Sequence, residues 1–167
     1  MTKIKVVQGD ITKMKADAIV NAANRSLLGG GGVDGAIHAA AGPQLLAECE
    51  QLHGCETGKA KITKGYNLPA KYVIHTVGPV YHSSVRDAEK LHDCYYNSLE
   101  VAREHNLHSI IFSAISTGVY GYPADKATEI AIKTINDWLK QHADYDMEVS
   151  LCAYDGRMYR LYKKMMA

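Results

Sequence analysis

Along the chain, short stretches rich in Ile and Val alternate with stretches whose apolar residues recur every three or four positions. Residues 3–8 (KIKVVQ), 17–22 (DAIVNA), 60–66 (AKITKGY), 72–77 (YVIHTV) and 147–153 (MEVSLCA) predict strands. Residues 109–115 (SIIFSAI) form a nearly continuous apolar run, the pattern of a strand covered on both faces. Between 87 and 104, Leu91, Cys94, Tyr95, Ser98, Leu99 and Ala102 fall at i, i+3, i+4 spacing, which predicts a helix with one buried stripe. Pro123 opens another, with the stripe Ala127, Ile130, Ala131, Ile135, Trp138 and Leu139. The small-residue segment 34–41 (DGAIHAAA) predicts a helix with Asp34 in its first turn, where a carboxylate meets the positive end of the helix dipole. Gly42-Pro43 breaks it, 44–52 resumes as a second short helix, and 157–166 predicts a terminal one.

Strands alternating with helices build three layers, an α/β/α arrangement whose mixed, largely parallel central sheet carries helices on both faces. No repeat, linker or shift of composition divides the chain, so residues 1–167 are expected to form a single domain. Ligands of such sheets sit beyond the carboxyl ends of the strands, where loops run into helix N-termini. Three conspicuous loops are expected at such ends: 9–12, 23–35 and 116–122.

Two of these loops are rich in glycine. Gly30-Gly31-Gly32-Val33-Asp34-Gly35 satisfies GxGxxG, yet residues 22–28 separate Gly29 from the strand, and the candidate acids Glu48 and Glu50 fall in a helix. It is therefore not a dinucleotide fingerprint. Gly54 to Lys59 resembles a P-loop but is one residue short, with Ala60 where Ser or Thr belongs. What remains is backbone chemistry. Consecutive residues without Cβ let N–H groups converge on an anion, and the helix that follows adds unpaired donors. The bland alternative is a flexible surface loop, although linkers do not usually lie between a strand and a helix. Ser116 to Pro123 has the same character, with hydroxyls at Ser116 and Thr117 and bends at Gly118 and Gly121. Two such loops could grip a diphosphate from both sides.

Composition narrows the function further. Apolar residues make up 47% and charged residues 22%, which excludes a disordered or low-complexity chain. The formal net charge is +1, without the basic excess of an electrostatic nucleic-acid binder. No run approaches the roughly 20 apolar residues of a membrane span. The opening residues alternate apolar and polar positions rather than forming a signal-peptide core. The four cysteines (Cys49, Cys55, Cys94, Cys152) contain no CxxC pair, and Cys49, His53 and Cys55 have no second ligand pair after them. They are expected to be buried thiols of a cytoplasmic protein.

The polar residues beside the loops each admit two readings. Asp10 could accept from an exocyclic amine or cap a turn. Asn24 could bind ribose hydroxyls or cap a turn. Asp34 could orient a water or serve only as a first-turn carboxylate. Tyr120 and Tyr154 could cover a ligand or belong to the core. His38 and His75, in apolar company, are expected to be satisfied core histidines.

Taken together, Gly9-Asp10-Ile11-Thr12, Asn21-Ala22-Ala23-Asn24, Gly29 through His38, His75-Thr76-Val77-Gly78-Pro79 and Ser116 through Pro123 resemble the macro domain family. The likeness is to its MacroD-like bacterial O-acetyl-ADP-ribose deacetylases, and it runs from about residue 3 to residue 162. The resemblance implies a fold that binds ADP-ribose, with Asp10 and Ile11 on the adenine and Tyr154 stacked against it. Ser116, Thr117, Gly118, Val119 and Tyr120 would wrap the diphosphate. Gly32, Val33 and Asp34 would lie against the diphosphate and distal ribose, with Asn24 on that ribose. Asp34 is the implied catalytic residue, assisted by Asn24, with neither metal nor other cofactor required. The implied reaction is cleavage of esters on the distal ribose, in O-acetyl-ADP-ribose or in ADP-ribosylated Asp and Glu of proteins. The alternative is a reader module that binds ADP-ribose without turnover. Implied partners are ADP-ribose, its O-acetyl ester and ADP-ribosylated proteins, and neither a membrane nor nucleic acid. Two departures stand out: Ser113 where relatives commonly carry proline, and Gly156-Arg157 where they tend to be acidic.

Overall fold

The computed structural model describes residues 4–167, so Lys3 of the first predicted strand lies outside the described residues. Six strands, β1 (Ile4–Gln8), β2 (Ala18–Ala23), β3 (Ala60–Lys64), β4 (Tyr72–Val77), β5 (Ser109–Phe112) and β6 (Glu148–Ala153), form one sheet in the order β1-β6-β5-β2-β4-β3. All neighbours run parallel except β3, which pairs antiparallel with β4. Five strands therefore end on the same edge. The helices are α1 (Gly32–Ala41), α2 (Pro43–Leu52), α3 (Val85–Glu104), α4 (Ala124–Gln141) and α5 (Gly156–Met166).

The strand side chains alternate between two cores. Ile19, Val73 and Ile111 face Ile37, Ala41, Leu45 and Cys49 of α1 and α2. Val20, Ile74, Ile110, Phe112 and Leu151 face Leu91, Leu99, Ala131, Ile135, Trp138 and Tyr162 of α3, α4 and α5. The three-layer reading of the sequence is thus the architecture observed. The stripes of α3 and α4 are buried as their spacing requires, with Ile130 and Leu139 only partly so.

Boundaries differ where local chemistry overrides the apolar pattern. β5 stops at Phe112 rather than at 115, because Ser113 turns its hydroxyl onto Val20 O at 2.7 Å and the chain leaves the sheet. α3 starts at Val85 because Ser84 and Asp87 form a reciprocal capping box. The turn expected at 9–12 runs on into a single 3-10 turn, Ile11–Lys13, capped by Asp10. α1 begins in the glycines, at Gly32, with no side chain capping it.

Phe112 is fully buried and meets Tyr95 with ring centroids 4.9 Å apart. Phe112→Ala is expected to lower unfolding stability by about 3–5 kcal/mol. Urea titration should show an earlier midpoint with an unchanged m-value.

Candidate functional site

The shared strand edge carries an elongated cleft with two lobes. One, of about 670 Å³, is lined by Asp10 and Ile11 after β1, Thr117 after β5, and Cys152 and Tyr154 at and beyond the end of β6. The other, of about 370 Å³, is lined by Asn24 after β2, Gly30, Asp34, Ser116, Val119 and Tyr120. Gly32, Val33, Ala114 and Gly118 line both lobes and form the waist between them. The cleft thus brings together the residues that the sequence placed at Asp10, Ile11, Asn24, Gly32, Val33, Asp34, Ser116, Thr117, Gly118, Val119, Tyr120 and Tyr154.

Main-chain donors dominate the waist. Among the described residues, the N–H groups of 116–120 donate to no protein acceptor. Those of 30–34 are likewise free, and the first amide of this stretch in use is Gly35 N–H, on Gly31 O at 3.3 Å. An uncapped helix start leaves its first amides pointing outward with the positive end of the helix dipole behind them. Residues of both stretches line the one cleft, and free main-chain donors on its two sides suit it to an anion without a cationic side chain.

The loop after β5 is held in a costly conformation. Ser116 adopts φ +67°, a left-handed value unusual outside glycine, and its buried hydroxyl has no partner. It fits only because Gly78 has no side chain. A Cβ there would lie 2.0 Å from Ser116 Oγ and 2.7 Å from Ile115 Cγ2. Gly121 N–H on Gly118 O and Tyr122 N–H on Ser116 O, at 3.0 and 2.9 Å, then close the loop behind the free amides.

Asp34 is nearly buried, at 4% exposure, and its orientation is set from beneath. Asn21 Nδ2 donates to Asp34 Oδ1 at 2.8 Å and to His75 Nδ1 at 3.2 Å. Because His75 Nδ1 accepts, the ring proton sits on Nε2 and points to Thr63 Oγ1 at 2.9 Å. Burial, with His38 adding to it, pushes the His75 pKa down to about 3, so the ring is neutral. Asp34 Oδ2 remains for the cleft. A Cβ on Gly30 would sit 3.2 Å from Asp34 Oδ2 and 3.3 Å from Asn24 Nδ2, so both groups crowd one point of the lobe.

Local turn chemistry occupies part of the other polar residues. Asn24 Nδ2 holds Gly29 O at 3.0 Å, while its Oδ1 accepts from the Ser26 amide and hydroxyl, so Asn24 braces the glycine loop. Asp10 Oδ1 accepts from Thr12 N–H at 3.0 Å and Thr12 Oγ1 at 2.7 Å. These bonds hold its carboxyl below the usual carboxylate range and leave the second oxygen open. Tyr154, 68% exposed, stands at the rim of the larger lobe.

One expectation needs correction. His38 is not a core histidine: its Nε2 lies 3.6 Å from Asp34 Oδ1, one helical turn away, without a hydrogen bond. The i, i+4 spacing on a predicted helix was the available signal. His75 is buried and hydrogen-bonded as expected, but it serves the Asn21–Asp34 pair. Asn21 was not singled out, because nothing in a strand sequence says which neighbour a side chain will meet.

Comparison with known proteins gives a consistent picture. A family model described as "Macro domain" matches residues 20–131. A macro domain-containing protein of Chlorobaculum tepidum is 54% identical over 165 residues, covering 98% of this chain and 95% of that protein. A Bos taurus protein named ADP-ribose glycohydrolase MACROD1 is 55% identical over 163 residues, covering 95% of this chain. The chain spans 50% of that protein's length, and 35% of a Mus musculus protein named ADP-ribose glycohydrolase MACROD2. A crystal structure of a Trypanosoma brucei macrodomain in complex with ADP-ribose is similar with a TM-score of 0.94 and 45% identity, covering 99% of this chain and 69% of that one.

The His75 network predicts a pH dependence of stability. Once unfolded, this imidazole gains a proton near its ordinary pKa of about 6.5, whereas in the folded protein it stays neutral to about pH 3. The unfolded chain therefore binds more protons between these values, and stability falls as pH drops, by on the order of 1 kcal/mol per pH unit from this residue. Urea unfolding from about pH 7 to about pH 4.5 should show a shallower decline for His75→Gln than for the wild type. Parallel curves would mean that His75 charges while folded.

Proposed function

This chain belongs to the macro domain family, and on that premise we propose that it is a hydrolase that binds ADP-ribose and cleaves esters on its distal ribose. The substrates are O-acetyl-ADP-ribose and ADP-ribose attached to Asp or Glu side chains of proteins. The observation that carries the reading is the pair of free amide rows at the waist, with Asp34 Oδ2 beyond them in the smaller lobe.

A diphosphate at the waist receives main-chain N–H bonds from both loops, and bonds to a charged acceptor are the stronger kind. Its position divides the ligand between the lobes. Adenine enters the larger one, where the open oxygen of Asp10 accepts from the exocyclic amine and Tyr154 covers the ring. The distal ribose enters the smaller one against Asn24 and Asp34. Asn24 keeps one Nδ2 proton for a ribose hydroxyl while the other stays on Gly29 O.

Asp34 Oδ2 then orients a water toward the ester. The water attacks the acyl carbon and gives up a proton, the bond from that carbon to the ribose oxygen breaks, and that proton passes to the leaving ribose oxygen. Fixing the reacting atoms in this way lowers a barrier by up to the order of 7–11 kcal/mol. Asn21 maintains the aim, since its amide protons are committed to Asp34 Oδ1 and His75. Tyr120, half-buried and anchored through Tyr81 N–H on its carbonyl at 2.8 Å, closes the lobe from the second loop. We place the protein in the cytoplasm, a setting supported by four buried, unpaired cysteines.

The direct test follows acetate release from O-acetyl-ADP-ribose, alongside release of ADP-ribose from a carboxyl-modified protein. Asp34→Ala is expected to slow both by at least ~10²-fold, with ADP-ribose affinity broadly retained. Micromolar binding without turnover by the wild type would establish a reader instead.

Gly118 isolates the anchoring step. A Cβ there meets no atom within 4 Å, so a side chain is free of clashes and projects from the waist-lining backbone. Gly118→Val should therefore unfold at the wild-type urea midpoint yet bind ADP-ribose at least ~10-fold more weakly, the loss of one or two charge-assisted hydrogen bonds. Calorimetry on the folded variant reads this directly.

A further inference from the structure

A second concavity adjoins the larger lobe and is not used by the reaction. It is a groove of about 610 Å³ between the start of α4 and one face of α5, and it shares Thr117 and Tyr154 with the lobe. Its cations are Arg157, Arg160 and Lys164, which the helical repeat sets in one stripe along α5. None of the three is ion-paired among the described residues.

Arg160 folds back along α5 toward its N-terminus. A Cβ on Gly156 would lie 3.2 Å from Arg160 Nη1 and 3.9 Å from Gln8 Nε2. The guanidinium therefore folds back over the bare backbone of Gly156, beside the end of β1 and the loop that bears Asp10. Lys164 sits in the last turn of α5, where the helix dipole already favours a cation, so the two arginines are the informative pair.

We propose that this groove is a subsite for a single phosphate carried on the adenosine ribose, so that the preferred nucleotide is a phosphorylated ADP-ribose. The inference rests on the proposed placement of adenine under Tyr154. The part of the ligand next to adenine is its ribose, and a substituent on the 2′ hydroxyl passes Tyr154 and Thr117 into the groove. Guanidinium groups match a phosphate through paired N–H donors, which an ammonium cannot do. The remaining charges favour a monoester over a nucleic-acid strand. Asp125 and Asp155 also line the groove, and a polyanion laid along it would meet both. A single phosphate need reach only the arginines. Asp155 is moreover committed to α5, with Oδ1 accepting from Met158 N–H at 2.9 Å.

Calorimetric titration of the whole chain with ADP-ribose, with 2′-phospho-ADP-ribose and with a short oligoadenylate tests this. The phosphorylated ligand should bind about tenfold more tightly than ADP-ribose, the low end for hydrogen bonds to a charged group at an exposed site. That gain should shrink as salt is raised. The exposed double substitution Arg157→Ala/Arg160→Ala should abolish the gain while leaving ADP-ribose affinity within about twofold. Equal or weaker binding of the phosphorylated ligand, or a gain that survives the double substitution, overturns the subsite alone and leaves the ADP-ribose reading standing. Oligoadenylate binding tighter than 2′-phospho-ADP-ribose overturns it in favour of a strand-binding surface. Failure of ADP-ribose itself to bind would remove the reading of the cleft, and the subsite with it.

Discussion

Backbone amide groups without acceptors are rare in folded proteins, and here two runs of them belong to loops that line the same cleft. Free N–H groups at a solvent-open cleft are tolerable, but ordering a glycine-rich loop to present them opposes folding through its entropy. Much of the surrounding structure exists to hold that arrangement. Gly78 makes room for Ser116, Asn24 braces the glycine loop, and the parallel strands bring both loops to one edge.

A site built this way is nearly indifferent to net charge. The chain carries +1, and yet the waist is suited to a doubly charged diphosphate because its donors are dipoles fixed in place. A site of this kind recognises by geometry more than by long-range attraction, and its two lobes differ in lining. The buried Thr63–His75–Asn21–Asp34 chain extends the same logic to the smaller lobe. A neutral imidazole and a carboxamide fix a carboxylate without adding a counter-charge that would draw it away from the lobe.

Much of this was legible along the chain. The α3 and α4 stripes follow the helical period, and 109–115 announces a central strand because both of its faces must be covered. The loops declared themselves through glycine runs set between a strand and a helix, where a flexible linker is not expected. Less legible were interactions set by strand register. Asn21 lies opposite His75 only because β2 pairs with β4 in that alignment, and Asp34 arrives above Asn21 from another layer. His38 was misplaced because apolar neighbours in sequence are not neighbours in space once a helix turns. Asp10 and Asn24 proved to be turn-forming residues and cleft residues at once, a pairing that either reading alone would miss.

By itself, the amino-acid order determined the layered α/β architecture, the ends of the strands as the place of the cleft, and the residues able to present amides and carboxylates there. These follow from local periodicity and from backbone chemistry, which act over a few residues. Only the tertiary structure decided which carboxylate is buried and held, which histidine stands beside it, and that the groove lined by the arginines of α5 adjoins the larger lobe of the cleft. Those outcomes depend on distances between segments far apart in the chain, and such distances are settled when the sheet register and helix packing close around one another.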